Sequence, residues 1–341
     1  MSMPAPNPLN INYIDPDGNN WSLSDLSFSA GIVCAAIAGI EGLPVMLQTI
    51  PLLDGTAVPN IYIPQPGSIA IGLLVGWPDG SFNEDDYYAN LDAIVRAFTN
   101  RRNELPAAGY LQVQRPNGLT RQLTVFCTSG LNTPEVGIHN TLYSLTLQAP
   151  DPYWYDLTPQ TVSYSNNPAV GILPLLPITF SGQLLGNSLL VNNGTALAFP
   201  TWTITGPGTP TFKNLTTGRQ FSLNTSIPSG NVVQVTTKPG SQAVVNLTTQ
   251  TNIWDQLVLS SLRDLWPLVG GTNQVSLVMA GSSSSSSVQV QWVNRWSRAL
   301  WPLSALMHAL PRLRRRRARS CLACFTIRRR LARWSRSGSR Y

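Results

Sequence analysis

The sequence predicts a mainly β protein with a single α-helix in its first half, and three observations carry that prediction. Charged residues make up 11% of the chain, against ~25% in an average soluble protein, while 43% of it is hydrophobic, which argues against wholesale disorder. The polar character comes from Ser, Thr, Asn and Gln, with 26 Gly and 27 Pro, a mixture that suits short strands joined by turns. Only one stretch repeats its large apolar residues at convincing helical spacing. The 341 residues leave room for two cores, at ~100–200 residues per domain.

That stretch is Asn83 to Arg102. Tyr87, Leu91, Ile94 and Phe98 fall at i, i+4, i+7 and i+11, on one helical face. Glu84, Asp85 and Asp86 crowd its start, Arg101 and Arg102 its end, as the helix dipole prefers, with Asn83 as N-cap; the helix is expected over 84–101. The acidic triplet is a metal candidate on composition, but successive helical residues point different ways. Strands are expected at Gly109–Val113 and Leu119–Phe126, joined by a turn at Arg115-Pro116-Asn117-Gly118. Another is expected at Thr141–Ala149, with Tyr143, Leu145, Leu147 and Ala149 on one face. The apolar run Ala30–Ile40 is too short to span a bilayer and reads as a buried strand or packed loop.

The pattern stops at Pro150-Asp151-Pro152-Tyr153-Trp154-Tyr155, where two prolines bracket an acid. A domain boundary is placed just beyond, giving a first domain over 1–160 and a second over 165–296. In the second, short strands are expected at Thr201–Thr205, Phe212–Asn214, Gln220–Leu223, Asn231–Thr236, Gln242–Thr248, Gln274–Met279 and Val288–Val293. Gly206-Pro207-Gly208, Thr217-Gly218, Ser229-Gly230 and Pro239-Gly240 punctuate them, as in a β-sandwich or barrel. The serines Ser282–Ser287 read as a flexible hairpin loop.

Charge is unevenly distributed. Of the 23 Lys and Arg, 14 lie at or after Arg295, where there is no Asp or Glu; residues 1–294 carry 9 basic and 16 acidic side chains, a net charge of −7. The chain is an acidic body with a basic tail, so its overall basicity says nothing of nucleic-acid binding by the body. Cys34 and Cys127 sit in apolar surroundings and read as buried thiols; Cys321 and Cys324 form a CxxC with no second pair to complete a zinc site. Met1 to Asn10 has no basic n-region, so no secretion signal is expected, and the four Asn-x-Ser/Thr sequons read as products of composition.

Catalytic constellations are sparse. His139 is the sole candidate base in the body, without a GxSxG, HExxH or Walker motif around it. Asp151 and Asp156 are a formal carboxylate pair for glycoside hydrolysis, but a turn role between prolines explains Asp151 better. Tyr153, Trp154 and Tyr155 offer stacking surface for sugars or packing at a domain junction. No enzyme activity and no cofactor is expected.

The ordered series of motifs resembles a family. Gly42-Leu43-Pro44-Val45, the single helix, and the strand closing in Ala149-Pro150-Asp151-Pro152-Tyr153-Trp154-Tyr155 look like the N-terminal belt domain of siphophage distal tail proteins. The second half is similar to that family's C-terminal galectin-like β-sandwich. The matching residues are Pro200, Trp202, Ile204, Gly206-Pro207, Asn214 with Thr217-Gly218, Gly230, Pro239-Gly240, and Trp266-Pro267-Leu268 followed by Gly271-Thr272-Asn273. The resemblance covers about residues 10–296. It implies a structural virion protein made in the host cytoplasm, a distal tail adaptor forming a homohexameric ring of belt domains. Its implied partners are the tail tube protein, the tail tip hub or baseplate and receptor-binding proteins, with DNA met only in transit. Its structural motif residues here are Pro150, Asp151, Pro152, Trp154, Gly206, Gly218 and Asn273. A runner-up of another class is a carbohydrate-binding module contacting host cell-wall glycans through Trp202, Trp254, Trp266 and Trp292, each of which serves equally as core.

The pattern breaks at residues 297–341, which turn Ala/Leu/Arg/Trp-rich, with Arg314–Arg317 and Arg328–Arg330. Three readings fit: an arm binding nucleic acid or membrane, a disordered extension, or a shifted reading frame, which best explains the abrupt change.

Overall fold

A computed structural model of the chain describes residues 10–24, 31–51, 57–76, 84–99, 101–102, 105–115, 118–132, 134–136, 140–165 and 183–299. Strand alternation in the first half builds an antiparallel sheet on which one helix lies. Its main path runs Asn20–Ser22, Asn10–Ile14, Gly109–Gln114, Thr120–Ser129, Asn140–Ala149, Gly67–Gly76 and Ile32–Ala38. Tyr143, Leu145, Leu147 and Ala149 all face the core, as their spacing predicts, beside Ile69, Ile71 and Leu73 of the neighbouring strand. The helix Glu84–Phe98 presents Tyr87, Ile94 and Phe98 to this face, with Leu91 partly buried against it. Phe98 stacks on Tyr13 at 4.2 Å between ring centroids, and the Tyr13 hydroxyl donates to the Ala97 carbonyl at 3.2 Å.

Several expectations need correction. The helix ends at Phe98, one turn early. Arg101 and Arg102 form a short strand paired with Leu105–Pro106, leaving Arg96 as the cation of the last turn. The Ala30–Ile40 run is the edge strand Ile32–Ala38, buried only at its first two residues, because an edge strand is covered on one side at most. Cys34 and Cys127 are half-buried; each sits at a β-bulge, its thiol donating to the carbonyl two residues on. Asn83, His139 and residues 300–341 of the tail lie outside the described residues, while Ser297, Arg298 and Ala299, expected to belong to the tail, are part of the fold.

The second half is a β-sandwich. One sheet runs Gln160–Ser165, Ser287–Trp292, Thr201–Thr205, Val232–Thr236, Ala243–Asn246 and Thr251–Asn252. The other runs Gln183–Asn192, Gly271–Ala280, Thr209–Asn214, Arg219–Leu223 and Leu257–Val258. Between them Trp202 packs on Phe212 at 4.6 Å and Trp266 at 5.4 Å, and Phe212 stacks on Phe221 at 4.7 Å. The sandwich begins at Gln160, because Gln160–Ser165 pairs with Ser287–Trp292; a boundary at 165 cuts that strand away. The serine run does not join a hairpin, since the strands on either side of it belong to different sheets. It is also ordered: the Ser283 N–H donates to Ser286 Oγ at 2.8 Å, and Ser286 Oγ donates to the Pro207 carbonyl at 2.7 Å.

Two sequons prove to be turns. In Asn214-Leu-Thr-Thr-Gly218 and Asn246-Leu-Thr-Thr-Gln250 the asparagine Oδ1 accepts both threonine N–H groups, and the fifth residue takes positive φ, +71° at Gly218 and +56° at Gln250.

Two glycines separate conformational from steric cost. A Cβ on Gly218 meets nothing within 4 Å but sits at positive φ, so Gly218→Ala is expected to cost about 1 kcal/mol. A Cβ on Gly109 lands 2.2 Å from the hydroxyl of Tyr13, whose ring Phe98 holds in place, so Gly109→Ala is expected to cost about 3 kcal/mol. Urea unfolding of the two variants checks the order.

Asp15 generates a pH prediction. Burial pushes its carboxyl upward, but the Trp21 indole, the Asn19 amide and the N–H groups of Asn19 and Asp17 donate to it and hold it below its ordinary range. A depressed carboxyl adds stability that is present above its unfolded value, about pH 4, and lost as pH falls through the folded value. Urea midpoints should therefore fall below pH 4, and Asp15→Asn should lower the midpoint at neutral pH while flattening that acid slope.

Candidate functional site

The residues that the sequence singles out around Pro150–Tyr155 meet the end of the sandwich at the junction of the two cores. Trp154–Asp156 forms a short strand against Thr120–Ser129 of the first sheet. On its other side it takes Arg295–Trp296, pairing Trp154 with Trp296 and Tyr155 with Arg295. The chain thus leaves the first core, builds the sandwich, and returns to the strand from which it left. Trp154 and Trp296 are both buried in the first core. The returning segment continues past Trp296, the end expected for the second domain: the Ser297 N–H donates to Thr195 Oγ1 at 2.8 Å, and that of Ala299, itself buried, to the Ile40 carbonyl at 2.9 Å.

Two cations fasten this return, each held by a carboxylate and an aromatic ring. Nη2 of Arg295 donates to the Asp151 carboxylate, 2.7 and 3.0 Å from its oxygens, while Nη1 reaches the Leu197 carbonyl at 3.2 Å. Its guanidinium lies 4.3 Å from the Tyr153 ring centroid. Arg121, 1% exposed, stacks 3.6 Å from the Trp296 ring and lies 3.7 Å from Asp156, with Nη1 donating to the Arg298 carbonyl at 2.8 Å. Asp156 accepts from the Trp296 indole at 2.7 Å and from Asn294 Nδ2 at 3.0 Å. Burying charge is unfavourable unless hydrogen bonds and counter-charge replace water; here a carboxylate and Nη hydrogen bonds do so for each arginine, while both Nε atoms are buried without a hydrogen-bond partner.

Asp151 accepts from Arg295, from the Tyr153 N–H at 3.3 Å and from the Tyr155 hydroxyl, so its lone pairs are engaged in the joint. Burial, then the hydrogen bond to Asp151, pushes the Tyr155 phenol up, which keeps it protonated as the donor. Burial lowers Arg115, whose Nε donates to the Ala299 carbonyl at 3.1 Å. Gly194 lets the returning strand pass, since a Cβ there would stand 2.3 Å from the Arg295 carbonyl oxygen.

The other motif residues are dispersed. Gly206 lies against the Pro228 carbonyl, 2.2 Å from where a Cβ would stand, and Gly218 closes a turn. Asn273 is fully buried and pins the preceding loop, donating to the carbonyls of Val269 and Gly271 and accepting the Val269 N–H. Pro150 and Pro152 flank the joint. As glycan contacts, Trp202, Trp266 and Trp292 are corrected: at 0%, 0% and 5% exposure they fill the sandwich core, and only an edge of Trp292 reaches an open cleft. Trp254 is half-buried at a short 3-10 turn and packs on the same core. Among the described residues no group of three or more His, Cys, Asp and Glu gathers as a metal site; Glu84, Asp85 and Asp86 occupy the helix's first turn.

Sequence reasoning marked Asp151 and Trp154 but missed Arg295, Trp296, Asn294 and Arg121. The available signal was the neutral setting of Asp151 and Asp156: two acids in an apolar motif require nearby cations.

No protein-family model matches the sequence, and no curated protein matches it either. Among solved structures, the chain is similar to the Dit protein of phage SPP1, described as a paradigm of the hub adsorption apparatus of phages infecting Gram-positive bacteria. The identity is 13% and the TM-score 0.58, over 85% of this chain and 99% of that one. A chain of the phage P2 baseplate in its calcium-activated conformation gives 10% identity and a TM-score of 0.47, over 84% and 98%. The first likeness establishes the shared fold.

Removing the acceptor of Arg295 should strand a cation that is only 10% exposed. Asp151→Asn is expected to lose about 2–4 kcal/mol, read by thermal or urea unfolding.

Proposed function

We propose that the chain is a structural component of a phage tail, a distal tail adaptor that forms a ring between the tail tube and the tail tip. The observation that carries this reading is the extent of the fold likeness to the SPP1 Dit protein, which covers 85% of this chain and 99% of that one. In this reading the first core is the belt and the sandwich stands outside it, offering a mount for tip or receptor-binding proteins. Six copies, the number implied by the family resemblance, complete the ring.

The surface of the first sheet supports the reading. On five of its strands, Asn10–Ile14, Gly109–Gln114, Thr120–Ser129, Asn140–Ala149 and Gly67–Gly76, every residue on the face away from the core is uncharged, mostly Asn, Gln, Ser, Thr, Ala and Gly. Protein–DNA affinity rests on cations that neutralise phosphates. A face without them is suited to line a passage through which DNA slides. The hairpin Val45–Pro51 with Ala57–Pro64 supplies apolar surface for subunit contact: Val45, Met46, Leu47, Ile50 and Ile63 are all at least 39% exposed.

The test is assembly of the full chain. Mass photometry and light scattering should show a closed species of six 37.1-kDa chains, and negative-stain images should show rings. Monomer alone at tens of micromolar, unchanged by added tube protein, overturns the adaptor reading. Saturable binding of cell-wall glycans by that monomer would favour the carbohydrate module instead.

A further inference from the structure

An open cleft of about 450 Å³ lies beside the joint, walled by Tyr155, Leu157 and Pro159 of the linking segment and by Phe199, Lys238 and Val293 of the sandwich. Its surface is about equally polar and apolar, the edge of Trp292 adds to the lining, and Leu157 is left 48% exposed there. Two cations line it. The ammonium of Lys238, half exposed, lies 5.5 Å from the Tyr155 ring centroid and 3.8 Å from Asp151; Arg295 is the second. Asp151 is one carboxylate shared between both, so this end of the cleft keeps a net positive charge. The body as a whole is acidic, which sets this spot apart.

We propose that the cleft docks an acidic peptide segment of a partner protein, with an apolar side chain seated on Leu157, Phe199 and Val293 and a neighbouring carboxylate on Lys238. Charge complementarity selects the acid, because a carboxylate at Lys238 finds the cation that Asp151 only partly neutralises. Leu157, Phe199 and Val293 form an apolar seat beside the cation, which suits an apolar side chain next to a carboxylate, as a peptide offers. Of the neutral polar side chains here, Thr201, Gln291 and Tyr155, the Tyr155 hydroxyl already donates to Asp151. Because the cleft is walled by the linking segment and the sandwich together, its occupant would brace the joint.

Methyl NMR on the full chain tests this, with the Leu157 and Val293 methyl signals as reporters and N-acetyl-L-phenylalanine as the probe. The proposal expects saturable shifts at both residues. It expects at least fivefold weaker binding of the uncharged N-acetyl-L-phenylalaninamide, and a similar loss for the acid in Lys238→Gln. That variant should keep its fold, since Lys238 is half exposed and its ion pair with Asp151 adds little. Absence of shifts, equal shifts from acid and amide, undiminished binding in Lys238→Gln, or shifts from glucuronic acid alone would each overturn the proposal.

Discussion

The closure of Arg295–Trp296 on Trp154–Asp156 is the constraint on which the rest of the molecule depends. A two-residue strand pairing is weak by itself. Here it is locked by two cations that cannot move without stranding charge: Arg295 on Asp151, and Arg121 between Asp156 and the Trp296 ring. Because Trp296 is part of the first core while Trp292, four residues earlier, is part of the sandwich core, the two cores share one short length of chain. A linker crossing once between domains would act as a hinge. A chain that crosses and returns to the same strand holds its two cores at two points.

Polar chemistry elsewhere follows the same economy. Asp15, Asn192, Asn273 and Asn294 are buried, and each spends its side chain on backbone or side-chain groups of a loop or crossing. Such pins hold irregular segments in place without a larger core. The low overall charge fits this. Few ionised groups remain in the body, those at the joint are paired, and the open face of the first sheet carries none on its central strands.

Much of the fold was legible because its signals are local. The helix was readable from Tyr87, Leu91, Ile94 and Phe98, and the sandwich strands from alternation bounded by Gly and Pro turns. What was missed depends on partners distant in sequence. Gly67–Gly76 and Gln183–Asn192 are ten-residue strands whose glycines and near-continuous apolar runs blur a period of two. The edge strand Ile32–Ala38 looked buried because composition does not report which strands end a sheet. Within the site, Asp151 and Trp154 stood out, but Arg295 was grouped with the arginines that follow it. Its partner is 144 residues away, and only the return of the chain brings them together. Trp202, Trp266 and Trp292, offered as glycan contacts, failed for the converse reason: large aromatic residues are first of all core.

The measurement that tests the account most directly is a cryo-EM map of the phage particle into which the chain can be traced. The expected result is a six-fold ring at the junction of tail tube and tail tip, with the uncharged sheet face toward the channel and the sandwiches outside. A particle in which this chain is absent, or is bound as isolated copies away from the tube axis, would contradict it.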